Sequence, residues 1–354
     1  MSSLGRYVAA FVVVLGAVLA IAAVGPAIVP SSAGTNVTGQ SPAHYQPSNL
    51  ALDTIEKTGT VAVDDVSETK TVVIDLAHSN SITREDVTPL ISALVESGHE
   101  VQFAGGSERS YARESKFNAT LQDADAYVVA APSRQFTPDH VSAVGAYAEA
   151  GGRVLLLEES PSAGSVSSMG LFVSIDRGGI EGQLGPLGSR FDLAFGTSYL
   201  YNASHESVNF KAVFAEPTGE DPLLDGVEEV VFRDAVPVVR GTDATALLRT
   251  DDGTRLESTR ESSAYTVLAR NGNVTAVGDT TFLTPRSVQE GDNEVLVGNL
   301  ATFLVDGQKD PCVPTTEAAS SEYPSSPPVT VEAPSENTTG GSGSGGVAGS
   351  SQQC

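Results

Sequence analysis

Tryptophan is absent from this chain, and only two cysteines, two methionines and five lysines occur in its 354 residues. Basic residues of both kinds number 20 against 44 acidic ones, for a formal net charge of −24. No basic stripe is available to neutralise phosphates, which excludes a nucleic-acid partner. Cys312 and Cys354 both lie far from the N-terminal apolar segment, so there is no bacterial-type lipobox. A disulfide between them is permitted outside a cell, but the sequence does not establish that they pair. Catalytic signatures are missing too. Ser160, in Glu158-Glu159-Ser160-Pro161-Ser162, lacks the Gly-x-Ser-x-Gly elbow that exposes a serine nucleophile. Gly178, Gly179 and Gly182 form no Gly-x-Gly-x-x-Gly turn after a strand, so no dinucleotide cofactor is expected.

What the chain does contain begins with an apolar run. After Arg6, residues 7–29 carry no charge, and 23 residues suffice to cross about 30 Å of hydrocarbon as a helix. The single preceding positive charge places 1–6 in the cytoplasm and the main domain outside, as a single-pass cell-membrane protein. A cleaved signal peptide is the rival reading; the length of the run, with Pro26 and Pro30 at its end, favours an uncleaved anchor. Residues 30–70 read as a juxtamembrane spacer rich in Ser, Thr, Pro and Gly. Residues 308–354 read as a disordered tail of similar composition, unable to bury enough apolar area to offset its ordering entropy. Sequons at Asn36, Asn118, Asn202, Asn273 and Asn337 agree with an extracellular glycoprotein. The acidic excess is spread along the chain, as suits a halophilic surface in molar salt; an ordinary acidic secreted protein is the alternative.

Between spacer and tail, residues 71–307 alternate strand and helix. Val72 to Leu76, Glu100 to Phe103, Ala126 to Ala131 and Arg153 to Leu157 read as strands. The first helix is expected over 81–97, capped near Thr83 with Asp86 three residues on. The helix after the third strand opens at Thr137-Pro138. This alternation predicts an α/β fold with a doubly wound, mostly parallel, flavodoxin-like sheet. Later segments at 228–232, 235–239 and 244–248, with a hairpin about Arg270-Asn271-Gly272, predict a small β extension. A last helix is expected over 293–304.

In such sheets ligands bind at the carboxyl ends of the strands. Those ends carry Asp75, His78 and Asn80 after the first strand, and Ser133 after the third. Glu159 follows the fourth strand, and Asp279 and Thr280 follow the last. These seven are the candidate ligand-binding residues, of a chemistry suited to a sugar, a peptide or a cation. Asp75 and Asp279 could instead cap loop amides, and His78 could be a structural histidine. Asp75 and His78 make only two metal ligands, too few for a site, so no metal is expected.

The run Val73 to Gly98, the phrase Ala124-Asp125-Ala126-Tyr127-Val128-Val129, and Tyr147 to Leu157 resemble the class I glutamine amidotransferase-like superfamily. With 195–202, 209–214 and 278–283 added, the chain resembles membrane-anchored haloarchaeal members of a family of unknown function within it. The resemblance implies the fold. It carries no catalytic residue, because the superfamily's Cys nucleophile has no counterpart inside residues 71–307. Related domains serve as binding or assembly modules, so the resemblance implies a non-catalytic module, an accessory component of a membrane or transport assembly with a membrane-protein partner or a saccharide ligand. The alternative is an extracytoplasmic hydrolase of glycans or amides using Asp75, His78, Glu159 and Asp279.

The charge pattern makes one prediction. Dilution from molar to about 0.1 M salt lengthens the Debye screening distance from about 3 Å to about 10 Å, and the melting temperature of the acidic domain falls. A melting curve by circular dichroism that stays flat across this dilution would show that the surface is not a salt adaptation.

Overall fold

The computed structural model describes residues 61–64, 68–105, 114–160, 166–169, 172–175, 183–203 and 209–314. All belong to the unit Asp53–Cys354. The expected anchor, Asn36, Asn337 and most of the expected spacer and tail lie outside the described residues.

The first strands are short apolar runs and helices separate them. In chain order come β1 (Thr71–Asp75), α1 (Thr88–Glu96), β2 (Glu100–Ala104), α2 (Glu114–Asp123), β3 (Ala126–Ala130), α3 (Pro138–Glu149) and β4 (Arg153–Leu157). Then follow β5 (Val166–Met169), β6 (Phe172–Ile175), α4 (Gly185–Ser189), β7 (Leu193–Phe195), β8 (Leu200–Tyr201) and β9 (Ala212–Pro217). The chain continues with β10 (Val230–Arg233), β11 (Val238–Arg240), β12 (Thr245–Thr250), β13 (Arg255–Leu256), β14 (Thr266–Asn271), β15 (Val274–Val277) and α5 (Asn293–Val305).

Nine strands form one sheet in the order β10-β9-β12-β14-β15-β4-β3-β1-β2. The four pairings from β15 to β2 are parallel and the four from β10 to β15 are antiparallel. The sheet is therefore mixed, and the expected small β extension is nearly half of it. The cause is the hairpin at Gly272, where a φ of 55° allows the tight reversal. Because β15 joins β4 in parallel, β14 must run the opposite way, and β12, β9 and β10 build outward from it.

Alternation along the strands feeds two cores. Val72, Ile74, Val128, Leu155 and Leu157 face the side of α1 and α5. Val73, Tyr127, Val129, Val154 and Leu156 face the side of α2, α3 and α4. Helices on both faces make the parallel half doubly wound. The largest fully buried side chains include Phe117, Tyr127, Tyr147, Phe232 and Phe282.

Two expectations are corrected. The first helix starts at Thr88, not near Thr83. Pro89 has no N–H to give to the fourth residue back, so it fits only in a helix's first turn. Thr83 and Asp86 still bond each other, with Thr83 N–H and Oγ1–H donating to Asp86 Oδ2 at 2.8 and 2.6 Å, but they close the preceding loop. The second concerns the ends of the domain. Residues 61–64, assigned to the spacer, lie against α5: Val61 and Val63 pack on its core, and Asp64 N–H donates to Thr302 Oγ1 at 3.1 Å. Gly298 permits this contact, since a Cβ there would lie 2.3 Å from Ala62 O. At the other end, Asp310 N–H donates to Ala150 O at 2.8 Å and Gln122 Nε2 to Pro314 O at 2.6 Å, so the start of the expected tail is fastened to α2 and α3.

The β10 edge is sealed by side chains from the segment after β15. Asn293, fully buried, accepts from Val231 N–H at 2.9 Å and donates to Val231 O at 3.0 Å and Ser287 O at 2.8 Å. Asp292 accepts from Glu228 and Glu229 N–H, both at 2.8 Å. Replacing Asn293 by Leu leaves three buried backbone groups without partners, at about 1–3 kcal/mol each. A drop in unfolding free energy of at least about 2 kcal/mol is expected by chemical denaturation, against a smaller loss for Asn299→Ala, a half-buried side chain that donates to Leu223 O and Asp225 O.

Candidate functional site

The parallel half has the strand order 2-1-3-4 with β15 in fifth place, so its winding reverses between β1 and β3, where such sheets open a ligand crevice. Asp75 and His78 sit at that point. Asp75 ends β1 on the α2 face and is fully buried, and His78 Nδ1 lies 2.8 Å from its Oδ2. The His78 ring stacks on Phe136 at 3.7 Å between centroids and meets His140 edge-on at 5.6 Å. His140 in turn stacks on Phe117 at 4.1 Å. Burial, and then the neighbouring His78, push the His140 pKa below its ordinary value.

The crevice itself is occupied by the chain's own loops. Ser133 and Arg134 N–H both donate to His78 O, at 3.1 and 2.9 Å. Asn80 accepts from His78 N–H at 3.2 Å and donates through Nδ2 to Ala130 O at 2.8 Å. Ser81 Oγ lies 3.3 Å from Ser133 Oγ. Asn80 and Ser133 therefore lace the loop after β1 to the loop after β3. Asp75 Oδ1 is buried without a hydrogen-bond partner, so the carboxylate depends on His78.

The remaining candidates gather one strand further along, after β4 and β15. Glu158 is buried, accepts from Glu159 N–H at 3.2 Å and Leu184 N–H at 3.3 Å, and burial raises its pKa to about 7. Glu159 is half-buried and accepts from Thr280 N–H at 3.3 Å and from Thr280 Oγ1. Asp279 is fully buried and saturated: it accepts from Arg233 N–H at 2.9 Å, from Thr281 N–H at 2.8 Å and from Thr281 Oγ1. Burial, followed by the charge of Asp279, raises the Glu159 pKa, and burial raises that of Asp279 against the pull of its hydrogen bonds. No hydrogen bond joins Asp75 or Asn80 to Glu159, Asp279 or Thr280. The structure thus divides the seven candidates into two groups rather than one cleft. Among the described residues, no three His, Cys, Asp or Glu side chains could hold a metal ion together.

The sequons within the described residues are placed as follows. Asn118 is half-buried on α2. Asn202 is buried and its Nδ2 donates to both Asp251 oxygens at 2.9 Å. Asn273 donates to Ala148 O at 2.9 Å and accepts from Arg153 at 2.8 Å. A glycan on Asn202 or Asn273 would displace these bonds. Cys312 is disulfide-bonded, and the chain's other cysteine, Cys354, lies outside the described residues. Sequence reasoning missed Phe136, His140, Asp292 and Asn293. Only Thr137-Pro138 flagged the neighbourhood of the first two, as a helix start.

The carboxylates make stability depend on pH. Glu158 and Glu159 ordinarily titrate near 4.5, and their folded-state values are higher. The native state therefore holds protons that the unfolded chain has lost, and stability falls as pH rises through that window. His140 acts oppositely, costing stability as pH drops below 6.5. Glu159→Gln keeps an acceptor for Thr280 and removes the charge beside Asp279. Thermal melts should show it more stable than the wild type by on the order of a few °C at pH 9, and indistinguishable at pH 4; an equal shift at both would show that charge is not the cause.

A family model described as "Domain of unknown function (DUF4350)" matches residues 102–301. No curated protein matches the chain. Several solved structures are similar at low identity. The "mmIFT52 N-terminal domain" is 11% identical, with 68% of this chain and 99% of that one covered and a TM-score of 0.49. A glutamine amidotransferase from Thermotoga maritima is 9% identical over 67% and 97%, with a TM-score of 0.38. A putative ThuA-like protein from Parabacteroides merdae is 12% identical over 68% and 91%, with a TM-score of 0.39. At such scores the fold is described from its own strands.

Proposed function

The chain belongs to the family described as a domain of unknown function (DUF4350), and from that premise we propose that it is a membrane-anchored extracytoplasmic binding or scaffold module without turnover. The observation that supports this reading is the closed switch point. A catalytic rim needs a reacting group that meets substrate, whereas Asp75 and His78 are buried against each other and covered by loops laced through His78 O. Asp279 spends its oxygens on Arg233 and Thr281. The one described cysteine is disulfide-bonded and carries no thiolate. The doubly wound half also supports a place in the class I glutamine amidotransferase-like superfamily, with the nucleophile lost.

The membrane reading rests on residues 7–29 and Arg6. No helix among the described residues is long and apolar enough to cross a membrane, so an anchor has to come from elsewhere in the chain. The acidic excess supports a halophilic setting. A hydrolase reading draws on one observation, the half-buried Glu159 with its raised pKa beside Asp279, a pairing suited to a general acid. Under that reading Glu159→Gln abolishes glycan or amide hydrolysis; under ours the wild type has no such turnover, and the variant retains whatever partner co-purifies at native salt.

Protease shaving tests the orientation. On intact cells the domain is expected to be removed from the surface. Protection on intact cells with digestion only after lysis would reverse the orientation.

A further inference from the structure

The nine-stranded sheet has two edges, and the chain treats them differently. The outward backbone groups of β10 are taken up by Asn293, Asp279 and Thr281. β2 has no such cover among the described residues. Its ladder to β1 fixes which groups face out: Glu100 N–H donates to Lys70 O at 2.8 Å, and Ala104 O accepts from Leu76 N–H at 2.7 Å. Glu100, Gln102 and Ala104 therefore turn their backbone groups toward β1, and Val101 and Phe103 turn both N–H and C=O away from it. An uncovered strand edge of this kind is a template for another strand.

A second feature lies beside it. On the α2 face of β2 runs a groove of about 330 Å³ lined by Gln102, Ala104, Gly105, Lys116, Ala119 and Thr120. Lys116 stands at the carboxyl end of the strand and Glu100 begins the strand at the other end. Both are exposed, and neither side chain has an ion-pair partner among the described residues.

We propose that β2 is a two-fold interface at which a second copy of this chain extends the sheet. Of the antiparallel registers that set outward groups against outward groups, the one centred on Gln102 engages Val101 and Phe103 of both copies. Val101 then faces the partner's Phe103, and both are outward-facing positions that exchange N–H to O=C bonds as a hydrogen-bonded pair. Gln102 meets the partner's Gln102 in a non-hydrogen-bonded position, with Cα atoms about 4.5 Å apart. Glu100 falls opposite the partner's Ala104, on the groove face, next to the partner's Lys116. The dyad repeats this contact, so two unpaired anions meet two unpaired cations. A slip by one residue would set inward groups against outward ones and break the ladder. A two-fold contact of this type is isologous and closes after one copy, so it makes dimers and not fibres. A foreign extended peptide could use the same backbone edge, but only a second copy is known to bring a carboxylate to Lys116 in the matching register.

Cysteine cross-linking of the full chain at constant salt tests the register. Gln102→Cys is expected to give a disulfide-linked dimer under mild oxidation, because the opposed Cα distance suits the bond. Glu100→Cys or Ala104→Cys alone should not, while the two together should. Lys116→Glu or Glu100→Lys added to Gln102→Cys should each reduce the dimer several-fold, and both charge reversals together should restore it. No dimer from Gln102→Cys, an equal yield from Glu100→Cys alone, or charge reversals that fail to rescue each other would overturn the proposal. Circular dichroism of every variant identifies any that fail to fold, and the conclusion is then drawn from the charge-reversed pair, in which both substituted side chains are exposed in the monomer.

Discussion

Asp279 stands where the parallel half of the sheet meets the return path of the antiparallel half. It follows β15, accepts from the backbone of Arg233 at the end of β10, and turns the chain through its bonds with Thr281. Gly278 makes the same junction from the backbone side: its carbonyl accepts from Val236 N–H at 2.7 Å, and a Cβ there would lie 1.9 Å from Val236 O. Without this junction the segment that carries Asp292 and Asn293 would not lie along β10. The outer strand would then expose the amides those side chains now satisfy. A buried backbone group without a partner costs free energy comparable to a lost hydrogen bond, so one fully buried carboxylate helps hold the sealed edge, the closing helix and the last parallel strand together.

The same requirement explains why the strand ends do not form one cleft. Polar side chains placed at the carboxyl end of a sheet either face a ligand or satisfy the loops that leave the strands. Here Asn80, Ser133 and Asp279 take the second role, and Asp75 is bonded within the fold to His78. What remains with unusual electrostatics is the pair Glu158 and Glu159, raised in pKa mainly by burial and, for Glu159, by Asp279. Perturbed carboxylates mark functional sites and structural networks alike, and the hydrogen bonds to Leu184 and Thr280 place these two in the network.

Charge acts at a different scale. The chain carries a formal charge of −24, and several cations among the described residues are used individually. Arg233 makes a bidentate pair with Glu290 at 2.9 and 2.7 Å, Arg270 pairs with Asp221 at 3.0 Å, and Lys211 pairs with Asp234 and lies 4.5 Å from the Tyr199 ring centre. Lys116 stands outside this pattern, exposed and without an ion-pair partner among the described residues.

By itself the sequence determined the α/β alternation, the positions of β1, β3, β4, β14, β15 and α5, and the hairpin at Gly272. These are set by local signals: apolar runs of strand length, caps, Gly and Pro. It placed the candidate residues at strand ends correctly, because strand ends are local too. It misjudged the start of α1 where Pro89 overruled a capping pattern, and it took residues 61–64 for spacer because four residues carry no periodicity. Only the tertiary structure decided that half of the sheet is antiparallel, that the switch point is closed, and that Asp279 and Asn293 serve the far edge. Those outcomes depend on contacts between residues 46 and 62 positions apart in the chain. Such pairings leave no local pattern, because the hydrogen-bond partner of a buried polar side chain is chosen by which backbone amides the fold brings to it.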